Sequence, residues 1–314
     1  MTLLTFAEPF LVLFALIAVG ALVARLKIMD REGVAQVSAL VVNITLPAAI
    51  FSAVATDLSL EALTSVPLIL ALGVGLGAAT WGLGHLVARR LALDDARRPV
   101  YAFAAGCTNT GFLGIPLAGA LLGPGAIVTA VLYDFTTTIN IFTFGVAALD
   151  RSSSRLALGR LLRNLLNPMF LALVLGVGWA ATGLRLPSPL ERLLGLTGNA
   201  TTPMAMMALG HMLYSARGEA PVPVAQWASL SAIRLALAPL LMLGAVWWLP
   251  LPEEAKAVCV LQAAMPTAML TAILAQQHGA DHHFGVRAAF ATTVLSLGSL
   301  PLVAWGVARA FGGG

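Results

Sequence analysis

Asn109, Thr110 and Asp134 stand deep inside apolar stretches, as do Asn43, Asn199, Arg234 and the pair Pro266–Thr267. Burying an amide, a carboxylate or a guanidinium among apolar groups is costly unless a partner is found, so each is a candidate for chemistry. Amides and hydroxyls can hold an anionic ligand, and a lone carboxylate can carry a proton or a cation. Two of these asparagines share a pattern: Asn43-Ile44-Thr45-Leu46-Pro47 and Asn199-Ala200-Thr201-Thr202-Pro203. The copies lie 156 residues apart in a chain of 314 that holds only six asparagines. Pro9 and Pro168, each opening an apolar run, show nearly the same offset. A pattern repeated at half the chain length predicts two copies of one unit, residues 1–157 and 158–314.

A second correspondence involves helix breakers. Ala105-Gly106-Cys107-Thr108-Asn109-Thr110-Gly111-Phe112-Leu113-Gly114-Ile115-Pro116 gathers three glycines, a proline and three polar residues where a continuous helix would want none of them. Leu261-Gln262-Ala263-Ala264-Met265-Pro266-Thr267-Ala268 places a proline at the matching point, since Thr110 plus the offset is Pro266. A broken helix exposes N–H groups at the start of its second half, and that end carries partial positive charge. Two such ends at mid-membrane form an anion site without Lys or Arg. Pro266 is expected at the first position of its half-helix, where a missing N–H is harmless. Pro47, Pro116, Pro203 and Pro266 are the expected helix breaks.

These residues must be held by membrane-spanning elements. Hydrophobic residues make up 59% of the chain and charged residues 10%, against about 25% charged in soluble domains. Mean hydropathy is +0.90. The apolar residues form ten blocks of spanning length, at 5–25, 34–54, 63–87, 98–122, 126–149, 166–184, 193–213, 226–249, 256–276 and 284–308. They lack the short alternation of barrel strands, so an all-α integral membrane protein is predicted. Met1 to Glu8 has no basic residue and no cleavage site follows, so the first block is expected to stay as a span. Asp150 to Arg163 reads as a basic segment at the lipid surface, and Cys107 and Cys259 as buried fillers.

Five alternate loops hold Arg25, Lys27, Arg31, Arg89, Arg90, Arg97, Arg98, Arg151, Arg155, Arg160, Arg163, Arg217 and Arg287. The other side holds Arg185, Arg192, Lys256 and Arg309. The asymmetry predicts a multi-pass protein of the cytoplasmic membrane with both termini outside. Five spans per unit then insert the second copy upside down, a device of secondary transporters. The net charge of +4 thus reports topology, and no exposed basic domain suits a nucleic acid.

The run Asn109 to Pro116, with Asn43-x-x-x-Pro47 before it and Met265-Pro266-Thr267-Ala268 after it, resembles the auxin efflux carrier family along the whole chain. Bacterial members include transporters of malonate and other small organic acids. The resemblance implies the fold of sodium/proton antiporters and bile-acid symporters, with helices 4 and 9 broken and crossed. It implies a scaffold of spans 1, 2, 6 and 7 and a mobile transport domain of spans 3–5 and 8–10. Asn109, Thr110, Gly111, Pro266 and Thr267 would line the substrate site. Pro47 and Pro203 would bend scaffold helices facing it, and Asn43 would either contact substrate or cap a carbonyl freed by Pro47. The implied partners are a small organic anion, H+ or Na+ as coupling ion, and the bilayer, with a homodimer as the assembly considered. No cofactor and no metal is implied.

Asp134 is a proton or cation relay on one reading, aided by Tyr133 and Thr136 to Thr138; on the other it pairs with a base or faces a wet vestibule. Arg234 could be that base, could snorkel to the inner surface, or could attract an anion. His278, Asp281, His282 and His283 read more simply as a solvated loop than as metal ligands, and His85 and His211 as interfacial. An intramembrane aspartyl protease would need a second deep aspartate, and a serine enzyme a Gly-x-Ser-Gly. ATP-driven transport would need a phosphate loop ahead of a lysine, and only Lys27 and Lys256 exist. A ligand sensor would add a signalling domain. A sodium-coupled bile-acid-type symporter is the nearest alternative, and it calls for carboxylates at the crossover.

Overall fold

The computed structural model describes residues 3–58, 60–145, 149, 167–216 and 223–311, without the side chains of 3–7 and 60–63. The basic segment Asp150–Arg163 and Arg217 lie outside the described residues. Among these residues every regular element is a helix. The first half runs α1 (Leu3–Arg25), α2 (Arg31–Leu40), α3 (Leu46–Asp57), α4 (Leu60–Arg90), α5 (Arg98–Gly106), α6 (Ile115–Leu122) and α7 (Pro124–Asn140). The second runs α8 (Pro168–Ala181), α9 (Ser188–Asn199), α10 (Thr201–Ser215), α11 (Val224–Ala232), α12 (Ala238–Trp247), α13 (Glu253–Ala263), α14 (Leu270–Gln277) and α15 (His282–Phe311). The Asp30 carboxylate accepts from the Gly33 N–H to start α2, and the Asn167 side chain accepts from the Phe170 N–H to start α8.

Six stretches are long and apolar enough to cross a membrane: Glu8–Arg25, Arg31–Asp57, Thr64–Arg90, Pro124–Gly145, Val224–Trp247 and His282–Phe311. The other four blocks are not single long helices. Block 98–122 is interrupted at residues 107–109 and block 256–276 at residues 264–269, while α9 gives way to α10 at Ala200. The block at 166–184 is the 14-residue α8.

The prolines act in a way the sequence did not disclose. Pro47, Pro116 and Pro239 each stand two residues after a widened helical turn, at Val41–Thr45, Thr110–Gly114 and Ile233–Leu237. A proline removes one N–H and crowds the carbonyl four residues back. Opening the preceding turn by one residue relieves that conflict, and the helix continues. Pro47 and Pro116 therefore widen the turn ahead of them without breaking the helix, contrary to the expected breaks. Pro203 is the third residue of α10, within the first turn, where its missing N–H has no intrahelical partner to lose.

The chain gathers into two compact units. The first comprises Met1–Thr64, Gly111–Val131 and Leu165–Arg217. In it α1 packs along α10, and α3 along α8 and α9. Glycines set the closeness: a Cβ on Gly20 would strike the Met207 carbonyl, one on Gly210 the Ile17 carbonyl, and one on Gly176 the Val54 side chain. Gly20 and Gly176 stand 156 residues apart, the spacing of the two Asn-x-Thr-x-Pro copies. The second unit comprises Ser65–Thr110, Leu132–Asn164 and Gly218–Gly314. Here Gly73 and Gly77 of α4 leave room for Thr136 and Asn140 of α7, and the Asn140 amide donates to the Gly73 carbonyl at 3.0 Å. A core of Val100, Tyr101, Phe103, Phe284 and Ala288 joins α5 to α15.

Candidate functional site

Within the second unit the two helix interruptions meet. The Asn109 N–H donates to the Pro266 carbonyl at 2.8 Å, and the Ala268 N–H donates to the Cys107 carbonyl at 3.2 Å. Thr108 and Thr267 thus face each other as an antiparallel pair. Backbone groups released by the breaks satisfy one another, as buried peptide groups must. This geometry corrects the expected place of Pro266. It lies in the extended segment, not at the first position of a half-helix, because its carbonyl is the acceptor for Asn109; α14 begins later, at Leu270.

The expected site residues separate by what their side chains do. Thr110 is fully buried, and its hydroxyl donates to Asp134 Oδ1 at 2.6 Å. Thr267 is 1% exposed, and its hydroxyl donates to the Ala104 carbonyl at 2.9 Å. Both are committed inside the protein. Asn109 is 8% exposed, and its backbone N–H is engaged with Pro266 while its side-chain amide has no partner among the described residues. An unpaired buried amide is costly, so this one is available to a ligand or water. Gly111 follows in the widened turn Thr110–Gly114, half-buried and adding no side chain.

Asp134 is buried and forms no ion pair with Arg234. Its hydroxyl partners differ from the expected ones. Thr136 and Thr138 bond to carbonyls of their own helix, those of Tyr133 and Asp134. Thr110 Oγ1 instead bonds Asp134 and lies 3.1 Å from Thr137 Oγ1, which in turn lies 3.1 Å from Thr108 Oγ1. A chain of hydroxyls therefore runs from the carboxylate to the paired breaks. Of the expected hydroxyls, Thr137 joins this chain, through Thr110; Thr108 was missed because it carries no breaker or charge, and its Thr-x-Thr spacing with Thr110 was the only signal.

Arg234 does not snorkel, and among the described residues it pairs with no carboxylate. It is 1% exposed and donates to the carbonyls of Ala105 at 3.0 Å, Ala263 at 3.0 Å and Met265 at 3.2 Å. Ala105 and Ala263 lie at the C-terminal ends of α5 and α13, so one guanidinium holds both.

Other candidates fall elsewhere. Asn43 is exposed and donates to the Ala39 carbonyl of its own helix at 2.8 Å. The first unit holds a cavity of about 450 Å³ lined by Asp57, Glu191, Asn199, Thr201, Thr202 and Pro116 among others, with no basic residue and without Asn43. His211 is buried, not interfacial, and its Nε2 lies 2.9 Å from the Met29 carbonyl. In the histidine-rich loop Asp281 is taken by Arg97 at 2.8 Å. Burial works to raise the Asp281 carboxyl, but the Phe284 N–H and the Arg97 guanidinium outweigh it and hold it below the usual carboxylate range. Among the described residues no three His, Cys, Asp or Glu are grouped to hold a metal. Cys107 and Cys259 are free and buried.

The sequence model of the family described as membrane transport protein matches residues 5–160 and 150–304. An uncharacterized transporter of Methanothermobacter thermautotrophicus is 30% identical over 303 residues, covering 96% of this chain and 97% of its own. A protein of Rhizobium meliloti named "Putative malonate transporter" is 30% identical over 303 residues, covering 91% of each chain. An uncharacterized transporter of Methanocaldococcus jannaschii is 24% identical over 308 residues, covering 94% and 96%. A full-length family match and paired helix breaks in a chain of apolar helices make this a multi-pass membrane protein of the membrane transport protein family, the auxin efflux carriers that its fourth-span motif resembles.

Proposed function

We propose that the protein is a secondary transporter that moves a small organic anion, of the malonate type, across the cytoplasmic membrane by alternating access. The observation that carries this reading is the unpartnered Asn109 amide, 8% exposed, beside the paired breaks. It adjoins a half-helix N-terminus beginning at Thr110, whose partial positive charge suits a carboxylate. The relative from Rhizobium meliloti supports the choice of malonate as the first probe. The acidic lining of the cavity in the first unit disfavours an anion there.

Ten spans in two inverted five-helix repeats are part of the proposal. Support comes from the partners in the first unit: α1 with α10, and α3 with α8, a pattern unchanged when first-repeat and second-repeat spans are exchanged. Gly20 and Gly176 occupy matching places in those two pairs. A scaffold of spans 1, 2, 6 and 7 has partial support from that unit, which holds those spans but also Gly111–Val131 of spans 4 and 5. Asp134 carries the coupling proton through Thr110, Thr137 and Thr108. A sodium-coupled symporter is the lesser reading, since among the described residues Asp134 offers the one carboxylate near the breaks.

Proteoliposomes loaded with malonate and related acids, with and without imposed proton or sodium gradients, test the function. Saturable malonate flux driven by a proton gradient is expected; no flux with any small carboxylate would defeat the proposal. Impermeant labelling of tags on intact cells should reach both termini, and labelling of only one would remove the inverted repeat.

A further inference from the structure

We propose that Arg234 is the charge anchor of the paired breaks, a positioning residue that cancels the negative ends of two half-helices so that their positive counterparts can hold an anion. The inference rests on the transport reading for its ligand but on the geometry alone for its structural half. A helix end carries roughly half an elementary charge, negative at the C-terminus. α5 and α13 both end at the breaks, so about one negative charge in total accumulates there. One guanidinium supplies one positive charge and donates to Ala105, Ala263 and Met265 together.

Burial makes this arrangement consequential. Arg234 is 1% exposed, and among the described residues no carboxylate lies within ion-pair distance of it. Its compensation therefore comes from carbonyl dipoles, the remaining way to satisfy a buried cation. The widened turn Ile233–Leu237, opened ahead of Pro239, carries the residue. The matching stretch of the first repeat, 156 residues earlier, has Gly77 and Ala78 and no cation. The repeat is thus broken electrostatically at one point, and a single arginine serves both breaks.

Removing the charge should act on both breaks at once. In Arg234→Gln, amide exchange across residues 103–112 and 260–270 is expected to rise about tenfold or more, measured without any ligand. Malonate affinity, read by thermal shift, should fall about 10- to 100-fold, the scale of a lost charged hydrogen bond. Arg234→Lys keeps the charge but lacks the planar fork, so it should fall between. Adding Asp134→Asn to Arg234→Gln removes a nearby negative charge and should recover part of the affinity. A double variant no better than Arg234→Gln would reject the charge role, and wild-type exchange at either break would reject the anchor. Should wild-type protein bind no malonate, the transport reading fails on that result while the exchange arm still decides the anchor. Failure of both single variants to fold would reduce Arg234 to a folding residue and overturn the proposal.

Discussion

In the first broken span the interruption is Cys107, Thr108 and Asn109; in the second it runs from Ala264 to Met269. The backbones answer each other, with Asn109 donating to Pro266 and Ala268 donating to Cys107. The side chains do not. On the first break Asn109 keeps a free amide and Thr110 reaches a carboxylate, Asp134. On the second, the Thr267 hydroxyl is taken by Ala104 and its N–H by Thr292. Under the proposed repeat the matching backbone only needs breakers at corresponding points. Chemistry comes from the mismatch: a hydroxyl at Thr292 closes its hydrogen bonds locally, whereas Asp134 brings a titratable charge. On the proposed function the first break is the one that binds, and the second braces it.

The largest effect should come from deleting the free amide. Asn109→Ala is expected to weaken malonate binding by about 10- to 100-fold, because a hydrogen bond to a charged ligand is lost, with the melting temperature nearly unchanged. Isothermal titration beside a melting curve measures both. If Asn109→Ala binds like wild type, the first break is packing and the contrast disappears.

Thr267→Val should do the opposite. It leaves the Ala104 carbonyl without its hydroxyl donor, so stability should fall by about 1–3 kcal/mol while affinity changes little. A selective loss of affinity in this variant would make the second break a ligand-binding one.

Asp134→Asn sharpens the comparison further. Since Asp134 bonds a hydroxyl and not Arg234, the loss of about 3–5 kcal/mol that follows a broken buried ion pair is not expected. Transport should instead lose its pH dependence while binding survives. Unchanged pH profiles would remove Asp134 from the proton path and leave the membrane potential, at about 2.3 kcal/mol per charge per 100 mV, to drive the anion.

Packing in the first unit offers a control. Gly20→Ala should destabilise by about 1–3 kcal/mol because its Cβ meets the Met207 carbonyl, whereas the Cβ of Gly75→Ala meets nothing within 4 Å. Equal melting temperatures would mean that the glycine contact is not tight.

The smallest effect lies at the Arg97–Asp281 pair. The folded Asp281 carboxyl sits below its usual range, so its contribution is present above the unfolded value and is lost as pH falls through the folded one. A partly exposed pair of this kind is worth up to about 1 kcal/mol. Wild type should therefore lose a little more stability than Asp281→Asn between pH 5 and about pH 3.

Much of this molecule follows from its sequence because a membrane is a strict solvent. Apolar blocks must be helices, since the backbone has no water to bond, and Gly106, Gly111 and Pro266 at mid-block must disturb them. The matching of Asn43 with Asn199 at one offset is the sequence pattern on which the proposed repeat rests. What the sequence left open was which polar groups are already satisfied. Asn109, Thr110 and Thr267 look alike as polar residues at a break, yet only contacts from α5 and α7 decide that two hydroxyls are spent and one amide is free. Arg234 is the clearest case. Its partners are main-chain carbonyls, present at every residue and so invisible as a pattern; only the meeting of two helix ends in space makes three of them a site.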